Sequence, residues 1–269
     1  MSNGPAQIYL DAAAPVRTFG DDCGVWVTLD KRMSDNQNAD NANQENRRAA
    51  LWDVDGTLID SSEYHWLSWR GALAAENFTV TREQFAKTFG QRNDEILRSY
   101  FPRITTADIA RVGDAKEEAY RRLIRERGIR LLPGVRRWLE KLKEEGWLQA
   151  VASSAPLLNI ETIIAALNLE SFFAAVASAG DVTAGKPDPQ VFLAAARKLG
   201  VAPGTCVVVE DAPAGTEAAR RAGMRSIGVL SSHPKLEADI VVRTLEELPA
   251  DAFDKLLAGQ NRERQRAGR

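Results

Sequence analysis

From Pro133 to Leu230 short apolar runs alternate with stretches whose apolar residues recur at helical spacing, and this alternation constrains the fold more than any other feature. Val135, Leu139 and Leu142 share a helical face, Gly146 ends that helix, and Trp147 to Ala152 reads as a strand. A helix is predicted from about Pro156 to Leu167, then a strand at Ala174-Ala175-Val176, then a helix carrying Phe192, Ala196 and Leu199. The strand Thr205 to Val209, the helix Ala214 to Ala222 and the strand Ser226 to Leu230 continue the series. Runs that are apolar throughout are buried on both faces. Their separation by helices predicts an α/β fold with a Rossmann-like parallel sheet core flanked by helices.

One further apolar run, Ala49-Ala50-Leu51-Trp52, stands far upstream and reads as a buried strand ending at Asp53, after which Gly56 and Thr57 turn the chain. Between it and the alternating region, Ser62 to about Leu132 is rich in Ala, Glu, Arg and Leu, with a helix-start pattern at Thr81-Arg82-Glu83-Gln84 and no convincing strand. The block is an α-helical domain inserted after the first strand. The expected organisation is a core from residues 48–61 and 133–250, an insertion at 62–132, and a C-terminal helix with a basic tail at 251–269. Residues 1–47 end in the polar tract Ser34 to Gln44, which has almost nothing to bury and reads as disordered. Met33 directly precedes that tract, so residues 1–32 could be an upstream extension.

Composition narrows the partners. The 35 basic and 37 acidic side chains nearly cancel, leaving a formal charge of −2, so no global field recruits nucleic acid or an anionic membrane. Small-molecule partners are expected. Two cysteines, Cys23 and Cys206, are too few for a disulfide framework or a cysteine metal site, which fits a reducing cytoplasm. Neither a signal peptide nor the run of roughly 18 apolar residues needed to span a membrane is readable.

Ligands of open parallel sheets gather beyond the carboxyl ends of the strands. Polar groups fall there four times: Asp53 with Asp55, Ser153 with Ser154, Lys186, and Glu210 with Asp211. Any one acid could cap the following helix, but four strand ends together point to a site. Carboxylates converging from Asp53, Asp55, Glu210 and Asp211 would repel one another unless a cation sat among them, and an all-oxygen set without His or Cys favours Mg²⁺. Lys186, the Ser153 hydroxyl and backbone N–H groups at the Asp55-Gly56-Thr57 turn suit phosphate oxygens.

Asp53-Val54-Asp55-Gly56-Thr57-Leu58 resembles the DxDGT signature of the haloacid dehalogenase-like superfamily. Val151-Ala152-Ser153-Ser154, Gly185-Lys186-Pro187-Asp188-Pro189 and Val209-Glu210-Asp211-Ala212-Pro213-Ala214-Gly215 are similar to its other three motifs, in order, so the resemblance covers about residues 48–242. It implies that Asp53 is the nucleophile that forms an aspartyl-phosphate and that Asp55 is the acid/base acting on the leaving oxygen. It implies Mg²⁺ held by Asp53, the Asp55 backbone carbonyl and Asp211, with Glu210 binding directly or through water. Gly56, Thr57, Ser153, Ser154 and Lys186 would hold phosphate.

The inserted block resembles the family's helical cap, with hinges expected near Ser61-Ser62 and Leu132-Pro133. Glu63-Tyr64-His65-Trp66-Leu67-Ser68-Trp69 is similar to β-phosphoglucomutase and its phosphatase relatives, where this His helps control the acid/base Asp; an amphipathic helix with an incidental His is the plainer reading. Arg92 and Lys116 lie where that subfamily places cap residues facing substrate, although a solvated helix face would also explain Lys116, given Arg121, Arg122 and Arg125 after it. A mutase must hold a second phosphate, which β-phosphoglucomutase does with polar groups after the motif serine, whereas Ala155-Pro156-Leu157 stands here. The expectation is a Mg²⁺-dependent phosphatase of a small phosphate monoester, a sugar phosphate first, working in the cytoplasm as a monomer or weak homodimer. The alternatives are a phosphosugar mutase and, in another class, a non-catalytic phosphate-binding protein. Cys206 reads as a buried strand residue, His233 as a loop residue, and Asn261-Arg262-Glu263-Arg264 as a solvated tail.

Overall fold

The computed structural model describes residues 47–88 and 91–267, with side chains to 259. The readings for residues 1–46, and for the Asn261 to Arg264 side chains, lie outside the described residues. Six strands form one parallel sheet: β1 (Ala49–Trp52), β2 (Leu148–Ala152), β3 (Ala175–Ala177), β4 (Cys206–Glu210), β5 (Arg225–Val229) and β6 (Ile240–Val242), in the order β3-β2-β1-β4-β5-β6. The chain builds outward from β1 in one direction and then, from β4, in the other. The crevice at the carboxyl ends of β1 and β4 is therefore the switch point where such sheets bind ligands. Trp52 is in register with both Val151 and Val209, so Asp53, Ala152 and Glu210 leave the sheet at one level. β6 is absent from the sequence reading; it is three residues long, at the edge, with Val241 exposed, and so lacks a fully buried run.

The insertion contains α1 (Ser62–Ala75), α2 (Arg82–Thr88), α3 (Asn93–Tyr100) and the long α4 (Thr106–Arg127). Thr81 and Gln84 exchange the two bonds of a capping box at the start of α2, 2.8 Å from the Thr81 N–H to Gln84 Oε1 and 3.2 Å from the Gln84 N–H to Thr81 Oγ1. Trp66, Trp69, Leu73, Phe85, Leu97 and Val112 give the cap a core of its own. Its two connections run side by side, because Ile59 bridges Leu131 and the Leu132 N–H donates to the Leu58 carbonyl at 2.9 Å.

The remaining helices are α5 (Val135–Glu144), α6 (Leu157–Leu167), α7 (Gln190–Leu199), α8 (Pro213–Arg221) and α9 (Ala252–Ala267). Strand periodicity divides them between two layers. Ala50 and Trp52 join α5, α6 and α9 on one face, and Ala49 and Leu51 join α7 and α8 on the other. Phe253, at the start of α9, packs against Trp138, Trp147 and Trp52 with ring centres 5.1, 5.5 and 6.3 Å away. The first turns of that helix thus belong to the core, although the sequence reading set residues 251–269 apart. Among the described residues no helix is long and apolar enough to cross a membrane.

Candidate active site

Asp53 ends β1 and is buried, with its N–H tied to the Val209 carbonyl of β4 at 3.1 Å. Lys186, from the loop between β3 and α7, reaches across the sheet ends. Its Nζ donates to Asp53 Oδ1 at 2.5 Å, to Glu210 Oε1 at 2.7 Å and to the Ala152 carbonyl at 3.3 Å. The other Glu210 oxygen accepts the N–H groups of Asp211 and Ala212, each at 2.7 Å, so this carboxylate shapes the turn after β4. A Cβ at Gly215 would lie 1.8 Å from Glu210 Oε1, which is why the following helix can approach so closely only with glycine there. Gly56, with φ +84°, meets the same limit against Asp211 Oδ2, 2.0 Å from its would-be Cβ.

One cation serves three acids here, and the acids respond. Burial, and the neighbouring charges of Glu210 and Asp211, push the Asp53 carboxyl well above the usual range although Lys186 pulls against them. Asp211 is pushed up to about 7 by burial and by Glu210, against hydrogen bonds from Ser232 and Thr57. Lys186, in return, is held above the ordinary lysine value because the attraction of Asp53 and Glu210 outweighs its burial.

The roof treats Asp55 in the opposite way. Its Oδ1 accepts from Ser61 Oγ, from Tyr120 Oη at 3.2 Å and from His65 Nε2 at 3.1 Å. Burial alone would raise the carboxyl, but His65 and these hydrogen bonds hold it well below the carboxylate range. Lys116 Nζ lies 2.9 Å from His65 Nδ1 and donates to Glu117 Oε1 at 3.0 Å. A donor on Nδ1 fixes the His65 proton on Nε2, where it points at Asp55. His65 also stacks on Tyr120, ring centres 4.2 Å apart.

Floor and roof enclose a cavity of about 610 Å³ lined by Asp53, Asp55, Lys186, Arg92, Ser154 and Asn159 among others. Asp53, Glu210 and Asp211 each offer an oxygen within 4.8 Å of the others, and the raised Asp53 and Asp211 carboxyls are those of a donor set short of positive charge. Hard oxygen donors, buried and underneutralised, fit a divalent cation.

The haloacid dehalogenase-like hydrolase family matches residues 50–229. The chain belongs to that family. It is 34% identical over 208 residues to β-phosphoglucomutase of Bacillus subtilis (strain 168), covering 75% of this chain and 91% of that protein. Hexitol phosphatase B of Escherichia coli (strain K12) is also 34% identical, over 214 residues, covering 75% of this chain and 94% of its own. Among solved structures, CbbY from Rhodobacter sphaeroides in complex with phosphate superposes with a TM-score of 0.70 at 28% identity, over 75% of this chain and 96% of that one.

Within this hydrolase frame the expected residues fall in distinct places. Asp53, Lys186, Glu210 and Asp211 form the floor, with Ser153 buried beside them and Ser154 half-buried at the cavity wall. The Ser153 hydroxyl accepts the Ala155 N–H at 3.1 Å. Gly56 and Thr57 require a correction: the Gly56 N–H donates to the Ile59 carbonyl at 2.7 Å and the Thr57 N–H to the Val54 carbonyl at 3.3 Å, so the turn spends these donors on itself. Thr57 instead lends its hydroxyl to Asp211 Oδ1 at 3.3 Å. The solvated-face reading of Lys116 also fails, since its side chain is 2% exposed beneath Trp69 and Tyr120. Arg92 lines the cavity and pairs with Asp94 at 3.2 Å. Leu157 is exposed and away from the cavity, while Ala155, Pro156, Leu158 and Asn159 line it. Sequence reasoning missed Tyr120, Glu117, Asn159 and the Ser61 contact; Tyr120 follows Lys116 by one helical turn, a spacing that could have placed it beside His65. His233 was read as structural, yet it lines the cavity and its Nδ1 lies 3.2 Å from the Asp211 carbonyl.

Proposed function

We propose that the chain is a Mg²⁺-dependent phosphatase that hydrolyses a small phosphate monoester, a sugar phosphate first, through an aspartyl-phosphate on Asp53. The observation that carries this reading is the opposed treatment of two carboxyls two residues apart, Asp53 in a floor of crowded carboxylates bound to Lys186 and Asp55 under donors from the cap. Asp53, the Asp55 backbone carbonyl and Asp211, with Glu210 directly or through water, would hold the metal, which supplies charge neutralisation for the phosphoryl group. Lys186 already fixes one oxygen of Asp53, which orients the other for attack on phosphorus. The Asp53 O–P bond forms as the ester P–O bond breaks, and the leaving oxygen takes a proton from Asp55, which binds that proton from solvent before closure because its closed-cap donors favour the carboxylate. Asp55 is then the carboxylate that its Ser61, His65 and Tyr120 donors favour, and takes a proton from the water that attacks phosphorus and frees Asp53.

Hydrolysis is favoured over transfer to a second sugar phosphate by the segment after Ser153. Its polar side chains at the cavity are Ser154 and Asn159, and both ends of the Asn159 amide are engaged, by Glu117 at 2.5 Å and Arg121 at 2.9 Å. His65 and Lys116, in contact at 2.9 Å, favour the mutase reading. A small-molecule ester as partner, a cytoplasmic setting and a monomer or weak homodimer belong to the same proposal. The test is phosphate release across sugar phosphates with and without Mg²⁺, beside isomerisation of β-glucose 1-phosphate primed with the bisphosphate. Metal-dependent release outpacing isomerisation is expected, and the reverse order would replace phosphatase by mutase.

A further inference from the structure

Glu117 lies next to Lys116 on α4, with its side chain 7% exposed, and takes no part in the steps above. Its carboxylate collects donors from three helices. Oε1 accepts Asn93 Nδ2 of α3 at 2.7 Å and Lys116 Nζ at 3.0 Å, and Oε2 accepts Asn159 Nδ2 of α6 at 2.5 Å. The last of these crosses from the cap to the core. Asn159 is itself buried, and its Oδ1 accepts from Arg121 Nη1 at 2.9 Å, so two cap side chains hold one core amide by both ends. Such an amide is fixed in orientation, because turning it over would face donor to donor at Arg121 and leave Glu117 opposite an oxygen.

The bonds continue without a break to the reaction. Glu117 accepts from Lys116, Lys116 stands against His65 Nδ1, and His65 Nε2 reaches Asp55. A buried lysine needs a countercharge close by, and Glu117 is the one in contact with it. Take Glu117 away, and Lys116 loses the carboxylate that it touches, leaving only the Trp69 and Tyr120 rings to keep it against Nδ1. The His65 proton is then free to move to the nitrogen that faces away from Asp55.

We propose that Glu117 is a positioning residue whose bond to Asn159 makes a cap-to-core latch, so that the Lys116–His65 pair is set against Asp55 only when the cap rests on the core. The proposal rests on Asp55 being the acid/base. Opening the cap breaks the Glu117 and Arg121 bonds to Asn159 together and leaves the carboxylate that anchors Lys116 held from the cap side alone. Chemistry is thereby withheld until closure has excluded solvent.

Leaving-group dependence tests this in the full chain with Mg²⁺. Protonation by Asp55 matters for an alkyl ester such as a sugar phosphate and little for p-nitrophenyl phosphate, whose phenolate leaves unaided. First-turnover rates on both esters would be measured for Asn159→Ala, for the milder Asn159→Ser and for Glu117→Gln, with thermal unfolding alongside. The expected result is a fall of about 10- to 100-fold on the sugar phosphate. On p-nitrophenyl phosphate the change should stay within about threefold, and KM should move less than kcat. Equal losses on both esters, or no loss on either, would overturn the latch. Asp55→Asn is the control that separates the two readings. If it shows the same ester selectivity while the latch variants do not, the latch alone is wrong; if it leaves sugar-phosphate turnover intact, the acid/base reading falls and takes the latch with it.

Discussion

Floor and roof both hold carboxylates in dry surroundings, and they do so by different means. On the floor, Asp53 and Asp211 are fixed by strand ends and crowded by Glu210, with Lys186 as the one cation in contact with Asp53 and Glu210, and their carboxyls are pushed up. Under the roof, Asp55 and Glu117 are ringed by donors, most of them from the cap, and are held down against their burial. The floor is short of positive charge, whereas the roof is rich in donors, one of which, Asn159, comes from the core. In the proposed reaction the first would carry the phosphoryl group and the second would give and take the proton.

The comparison breaks most completely if the floor does not supply the nucleophile. Asp53→Asn should lower turnover by about 10⁴-fold or more and abolish the hydroxylamine-labile phosphoenzyme seen after rapid quenching. Asp55→Asn should cost about 10²- to 10⁴-fold on sugar phosphates while still allowing a first turnover on p-nitrophenyl phosphate, as measured by stopped flow. Leu97→Ala, which hollows the cap's own core, should destabilise by about 2–5 kcal/mol. Hydrogen exchange would find that loss in α1 to α4, with β1 to β5 still protected.

The smallest effect sharpens the contrast in pH. Asp211 titrates near 7 in the folded chain, far above its unfolded value of about 3.9. A raised carboxyl contributes stability below the unfolded value and loses it as pH rises through about 7. Metal-free protein should therefore melt at falling temperature between about pH 4 and 7, and the increment from added Mg²⁺ should grow over the same window. Asp55 is lowered, so its contribution is present above the unfolded value and is lost only as pH falls toward the folded one. Calorimetry with chelator and with Mg²⁺ would see the floor lose stability on the alkaline side and the roof on the acid side.

The floor was legible in the sequence because each of its residues follows a recognisable apolar run or a compact local motif, so that strand pairing alone brings them together. Asp53, Lys186, Glu210 and Asp211 needed nothing else. The direction of donors was not legible, and Gly56 and Thr57 show why: the turn that presents them also consumes their N–H groups. In the roof, Lys116 sits among Arg121, Arg122 and Arg125 in a helix that reads as solvated, and its burial comes only from the docking of α4 on α1. Glu117 and Asn159 are 42 positions apart on different domains, and no short-range pattern marks either one. β6 and the docking of α9 on the core escaped for a related reason, since an edge strand of three residues and a charged helix with a few apolar anchors carry weak periodicity.

The Phe253 contacts carry a consequence for how the chain is made. β1 is the earliest strand among the described residues, yet the face that Trp52 presents is closed by a ring placed 201 positions later. Until the last helix emerges, Trp52, Trp138 and Trp147 lack their common neighbour, and the nascent domain carries an open aromatic surface. The arrival of Phe253, rather than the meeting of the strands, is the moment at which this core can be hidden.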